Sequence, residues 1–117
     1  MWLFSETGFI SIVRHRDQAD VFVVRARDRK SLEPLAASSG AEIKITPDAD
    51  YPYRVFAPES VVTELVTQSL RALQYPNFKS QVAKTRGADY AYLLHDVWSV
   101  LLGGEDDEAI EARSRGE

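Results

Sequence analysis

The chain has 117 residues, of which 44% are hydrophobic and 27% charged, a size and balance that fit one globular domain able to bury a core without metal or disulfide support. It contains no cysteine, which excludes disulfides, thiolate catalysis and cysteine-ligated zinc or iron–sulfur centres. The net charge of −4 sits at one end: residues 1–103 carry 12 basic and 12 acidic side chains, whereas 104–117 carry 6 acidic and 2 basic. A neutral body neither repels nucleic acid nor attracts it over long range.

The opening Met1–Glu6 lacks a basic region and has only a very short apolar run, which argues against a secretory signal. No apolar stretch approaches the ~20 residues of a membrane span, so a cytoplasmic protein without membrane contact is expected.

Residues 9–16 are rich in β-branched side chains and predict a strand; Asp17–Asp20 is a polar turn, and 21–27 the partner strand. Trp2–Phe4 adds a short strand before a turn at Ser5–Gly8. The length of the Asp17–Asp20 loop decides which side chains share a face, because the side-chain period of a strand is two. A four-residue loop sets Arg16 opposite Val21, Arg14 opposite Val23, Ile12 opposite Arg25 and Ile10 opposite Arg27. That register gathers all four arginines on one side and leaves His15, Phe22, Val13, Val24, Ser11 and Ala26 on the core side. Charge segregation favours this loop over lengths of three or five.

Residues 29–38 predict a helix with Leu32, Leu35 and Ala36 as its apolar stripe, Asp28 as cap and Gly40 as stop. Residues 41–46 alternate as a strand with Ile43 and Ile45 inward, Pro47–Asp50 turns, and 51–57 returns as a strand whose Pro52 marks an edge or unpaired start. Pro58 fits the first turn of a helix over 58–74, in which Val62, Leu65, Val66, Ser69 and Leu73 recur at helical spacing. Pro76 ends it, Asn77 caps a short helix with Phe78 and Val82, and Asp89 caps a last helix lined by Tyr90, Leu93, Leu94, Val97, Trp98 and Leu101. Gly103-Gly104 closes that helix. The fold class is therefore α+β: two layers, an antiparallel sheet in the order strand-strand-helix-strand-strand-helix-helix, with the helices packed on one face. Residues 1–103 read as a single domain and 104–117 as an acidic, flexible tail.

The arginine face is the candidate site. Arg14, Arg16, Arg25 and Arg27, interleaved with Ile10, Ile12, Val21 and Val23, make a mixed basic and aliphatic surface suited to the acidic groups of a protein partner or to phosphates. Its aliphatic side chains would be covered in a homodimer, the commonest assembly of small proteins. RNA-binding modules share the layout of a helix-backed sheet with a basic open face, but add stacking aromatics; in this register only Tyr51 or Tyr53 could supply one. The competing reading is a solvated face whose arginines shield their neighbours.

Elsewhere the chemistry is sparse. The two histidines lie in no metal-ligand spacing; His15 reads as a part-buried structural side chain and His95 as a surface one. Asp48-Ala49-Asp50 lacks the further oxygens of a calcium loop and reads as a turn. Lys79, Lys84 and Arg86 form a short basic segment. There is no GxSxG, P-loop or GxGxxG pattern, and no cofactor or metal is implied.

Met1-Trp2 with Gly8-Phe9, Val23–Arg27, Thr46–Tyr51, Tyr75–Lys79 and Val97-Trp98 together give the chain a pattern that resembles a family of small uncharacterised bacterial proteins of about this length. The resemblance implies no activity, cofactor or catalytic residue; it draws attention to Arg25, Arg27, Tyr51, Asn77 and Lys79. The expectation is a non-enzymatic interaction module that self-associates through the arginine face. The alternatives are a nucleic-acid-binding module on the same face, and an enzyme of unknown chemistry around Tyr53, His95 and Asp96.

Overall fold

Five strands pair antiparallel throughout, in the spatial order β1-β2-β3-β5-β4, where β1 is Trp2–Ser5, β2 Gly8–Arg14, β3 Val21–Ala26, β4 Lys44–Ile45 and β5 Tyr53–Pro58. The computed structural model describes residues 1–116. The helices are α1 (Glu33–Ser39), α2 (Glu59–Arg71), α3 (Phe78–Arg86), α4 (Ala88–Leu101) and α5 (Asp107–Ser114), with 3-10 turns at Lys30–Leu32 and Leu102–Gly104. The fold is α+β, as the alternation of strand and helix signals predicts. The chain divides into two compact units, Met1–Phe78 and Lys79–Glu117.

In the first unit one sheet face is packed. Val24, Ala26, Val55 and Ala57 from the central strands meet Leu32, Leu35 and Val62 from the helical layer, with Ile10, Ile12, Phe22, Tyr53 and Leu65 around them. Full burial of Val24, Val55, Leu32 and Leu35 contributes roughly 1.5–3 kcal/mol apiece. Some local signals act where expected, but the N-cap positions are Arg29, Leu32 and Gly87 rather than Asp28 and Asp89, and α2 runs from Glu59 to Arg71 rather than over 58–74. Gly40, at φ +69°, stops α1 and donates to the Ala36 carbonyl, and Pro58 precedes α2. Asp28 accepts from the Ser31 hydroxyl at the helix entry.

The β2–β3 register departs from the expected one. Ser11 pairs with Arg25, Ile12 with Val24, Val13 with Val23 and Arg14 with Phe22. The His15 amide still donates to the Val21 carbonyl at 2.8 Å, so the connection has five residues, 16–20, not four. The His15 ring shapes that loop: Nδ1 accepts from the backbone amides of Asp17 and Gln18 at 3.0 and 3.1 Å. Ile10, Ile12 and Arg14 consequently share the helix-bearing side with Phe22, Val24 and Ala26, while Ser11, Val13 and His15 share the other with Val21, Val23 and Arg25. This register sets Ile10 and Ile12, partly buried, against the hydrophobic core, where Ser11 and Val13 would offer less apolar surface. Arg14 is tolerated on the packed side because it stands at the sheet's rim, where its guanidinium covers the Phe22 ring at 4.9 Å and pairs with Glu59 at 3.2 Å.

Two smaller differences concern the edges. β4 shrinks to Lys44–Ile45, with Ile43 against the core but Ile45 exposed. The acidic C-terminal stretch carries α5. There Asp106 caps the Ala109 amide at 2.9 Å, Asp107 and Glu108 occupy the first turn, and Arg113 in the last turn pairs with Glu105. Each placement complements the helix dipole.

In the second unit Val82 and Ala91 are buried, Arg86 lies over Tyr90 at 3.8 Å and Lys79 over Tyr92 at 5.3 Å. Among the described residues no helix is long and apolar enough to cross a membrane.

Candidate functional site

Ladder pairing carries one row of side chains across all five strands on the face opposite α1 and α2: Trp2, Ser11, Arg25, Arg54 and Lys44. Adjacent strands lie ~4.8 Å apart, so three cations stand side by side at one edge of the sheet. A second row holds Val13, Val23 and Phe56. Phe4 pairs with Phe9 near the opposite edge.

Aromatic rings interleave with the cations. Phe4 and Phe9 stack at 4.6 Å, Trp2 meets Phe9 edge-on at 5.5 Å, and Tyr51 lies 6.3 Å from Phe9. The buried Tyr51 ring supports both Arg25 at 4.6 Å and Arg27 at 5.2 Å. At the other end Lys44 lies over Phe56 at 5.1 Å and His15 is 5.7 Å from the same ring. Trp2 and Phe56 keep 67% and 37% of their surface exposed, which leaves ring area open to a stacking ligand.

The charges on this face are poorly compensated. Arg25 donates from Nη2 to the buried Ser11 hydroxyl at 2.8 Å, while its Nε is buried with no hydrogen-bond partner. Arg54 donates to the Tyr51 carbonyl at 3.4 Å and has Asp50 at 3.8 Å, a partner left mostly in solvent. Among the described residues Arg25, Arg27 and Lys44 have no acidic partner. Like charges directly opposite in a ladder destabilise a sheet. Arg25, Arg54 and Lys44 make two such pairs in succession; Arg25 and Lys44 are held by cation–π contacts, and Arg54 by the Tyr51 carbonyl and the exposed Asp50.

The expected site residues thus separate. Val21, Val23, Arg25 and Arg27 belong to this face and are joined by Tyr51. Ile10 and Ile12 pack against the core, so they cannot anchor a partner. Arg14 is on their side of the ribbon and already paired, and Arg16 lies in the loop, exposed. His15 and Phe22, expected together on the core side, are divided: Phe22 faces the core and His15 the open face. Asn77 is exposed in the connection before α3, and Lys79 belongs to the second unit over Tyr92. Tyr53 packs against the core under Arg29 at 5.6 Å, and His95 stacks on Trp98 at 5.4 Å. No group of three or more His, Cys, Asp or Glu that could hold a metal ion occurs among the described residues.

Sequence reasoning missed Arg54, Phe56, Lys44, Trp2, Phe4 and Phe9. For two of them the signal was present: Val55 and Ala57 are the apolar alternates of their strand, which turns Arg54 and Phe56 outward. Comparison of the chain with protein-family models, with curated proteins and with solved structures finds no match in any of the three.

Proposed function

We propose that the sheet face opposite α1 and α2 binds single-stranded nucleic acid. The observation that carries this reading is the cross-strand run of Lys44, Arg54 and Arg25, with the exposed ring of Phe56 beside it in the next row and that of Trp2 at the far end of its own row. Phosphates would meet the cations, and unstacked bases would lie on the rings, a division that single-strand binders on sheets use. An extended ligand suits a flat sheet, whereas a duplex presents no base faces to Phe56 or Trp2.

Charge argues against self-association through this face. A twofold contact lays one copy's surface on the same surface of the other, and a row of three cations would then meet its own image. The body's zero sum of charge from residues 1–103 gives no long-range attraction, so contact charges must supply the affinity. Three to four neutralised phosphates predict that raising salt from 50 to 200 mM weakens binding about 20- to 50-fold.

The test is fluorescence anisotropy with labelled single-stranded DNA and RNA, the matching duplexes, and a poly-glutamate peptide as competitor. Preferential, salt-sensitive binding of single strands supports the reading. Absence of binding at 50 mM salt ends it, and equal displacement by poly-glutamate reassigns the face to acidic protein segments.

A further inference from the structure

We propose that the open sheet face ends in a pocket for a terminal phosphate, the phosphomonoester group of a nucleotide. Alternation puts a third row on this face after those of Arg25 and Phe56: His15, Val21 and Pro58. These three, with Gln18, Lys44 and Phe56, line a cavity of about 450 Å³, within the ~300–1,000 Å³ of small-molecule sites. All of them lie in Met1–Phe78, so one unit builds the pocket. The face stops here. β2 ends at Arg14 and β5 passes into α2, while the Glu59 amide donates to the Asp20 carbonyl at 2.8 Å and ties the 16–20 loop to the start of that helix.

The lining residues identify the occupant. His15 Nδ1 accepts from the Asp17 and Gln18 amides at 3.0 and 3.1 Å, so the neutral ring carries its proton on Nε2, which has no partner among the described residues. Lys44 adds an ammonium and Gln18 a carboxamide, and no carboxylate lines the space. A set of donors without a competing acid suits an oxyanion. A phosphomonoester suits it better than the diester within a strand, because it has three acceptor oxygens and a charge of about −1.5 to −2 near neutral pH. The Phe56 ring, with Lys44 at 5.1 Å and His15 at 5.7 Å, gives the attached base a face to lie on. The choice of a nucleotide rests on the single-strand reading above. Two sources present the group: the phosphorylated end of a strand and a free mononucleotide.

The test has two arms. Unlabelled oligonucleotides of one sequence, with a 5′-phosphate, a 3′-phosphate or hydroxyl ends, compete with a labelled strand for the full chain. A nucleoside 5′-monophosphate and its nucleoside are titrated into isotope-labelled protein and followed by NMR. A phosphorylated end is expected to compete about tenfold better than hydroxyl ends, the worth of one hydrogen bond to a charged group. The monophosphate is expected to shift the amide signals of Asp17 and Gln18, and the nucleoside is not. His15→Asn keeps an acceptor for the loop amides but lacks Nε2–H, so the ratio between the two kinds of end should fall towards one. A preference that survives this variant overturns the pocket, since the extra charge alone would account for it. Should His15→Asn unfold, Gln18→Leu on the exposed loop decides, and an undiminished ratio there contradicts the inference. Strand binding with neither the gain nor the shifts overturns the pocket and leaves the single-strand reading standing. Shifts with no gain from a phosphorylated end assign the pocket to the free mononucleotide, and if no strand binds at all they end the single-strand reading alone. No response in either arm ends both.

Discussion

The two faces of the same sheet handle arginine in opposite ways. On the helix-bearing side Arg14 is moved to the rim, laid over Phe22 and neutralised by Glu59. On the open side Arg25 and Lys44 flank Arg54 in one row, without carboxylates of their own. On the packed side the exposed rim cation is given a carboxylate, whereas the more buried Arg25 on the open side has none. The open side leaves like charges adjacent at a cost in stability, which a ligand bearing negative charge would offset. Where a fold spends its compensating groups, and where it withholds them, distinguishes a structural charge from a functional one.

The comparison can be broken at either face. The largest expected effect is on the packed side: Leu35→Ala should lower unfolding free energy by about 2–5 kcal/mol in urea denaturation, because a fully buried side chain leaves a cavity. Oligonucleotide affinity measured well below the new midpoint should be unchanged. On the open side Phe56→Ala should weaken single-strand binding by about 1–3 kcal/mol, the usual worth of one stacked base, with a smaller effect on the thermal midpoint. Arg14→Ala sharpens the contrast. Its pair with Glu59 is solvent-exposed on both sides, so stability should fall by no more than about 1 kcal/mol and affinity should stay within error. A loss of affinity there equal to that of an open-face cation would mean that the two sides do not differ in role.

Much of the fold was legible. Gly40 and Pro58 mark helix boundaries through backbone conformation alone, and the spacing of Val62 and Leu65 defines the packed side of α2. The core side of β3, with Phe22, Val24 and Ala26, follows from alternation. The core side of β2 does not, because one extra loop residue exchanges Ile10 and Ile12 for Ser11 and Val13, and loop length is not encoded in alternation. Reading the loop from arginine clustering chose the wrong length; weighing isoleucine against serine would have chosen the right one. The site was less legible than the fold. Arg25 and Tyr51 stood out, but the cation row exists only once β3, β5 and β4 are paired in register. That register depends on contacts between segments distant in sequence. The helix α5 was hidden by its net charge, although Asp106 and Arg113 sit where a cap and a last-turn cation belong.

The central claim is that the row of adjacent cations is kept for an anionic ligand and not for the fold, and Arg54→Glu tests it most directly. The substitution places a carboxylate between Arg25 and Lys44, converting two repulsive cross-strand pairs into two attractive ones worth about 0.2–1 kcal/mol each. The account predicts a thermal midpoint equal to or above that of the wild type together with loss of salt-sensitive single-strand binding. A variant that binds as well as the wild type, or one that unfolds because Arg54 was holding the sheet together, would contradict it.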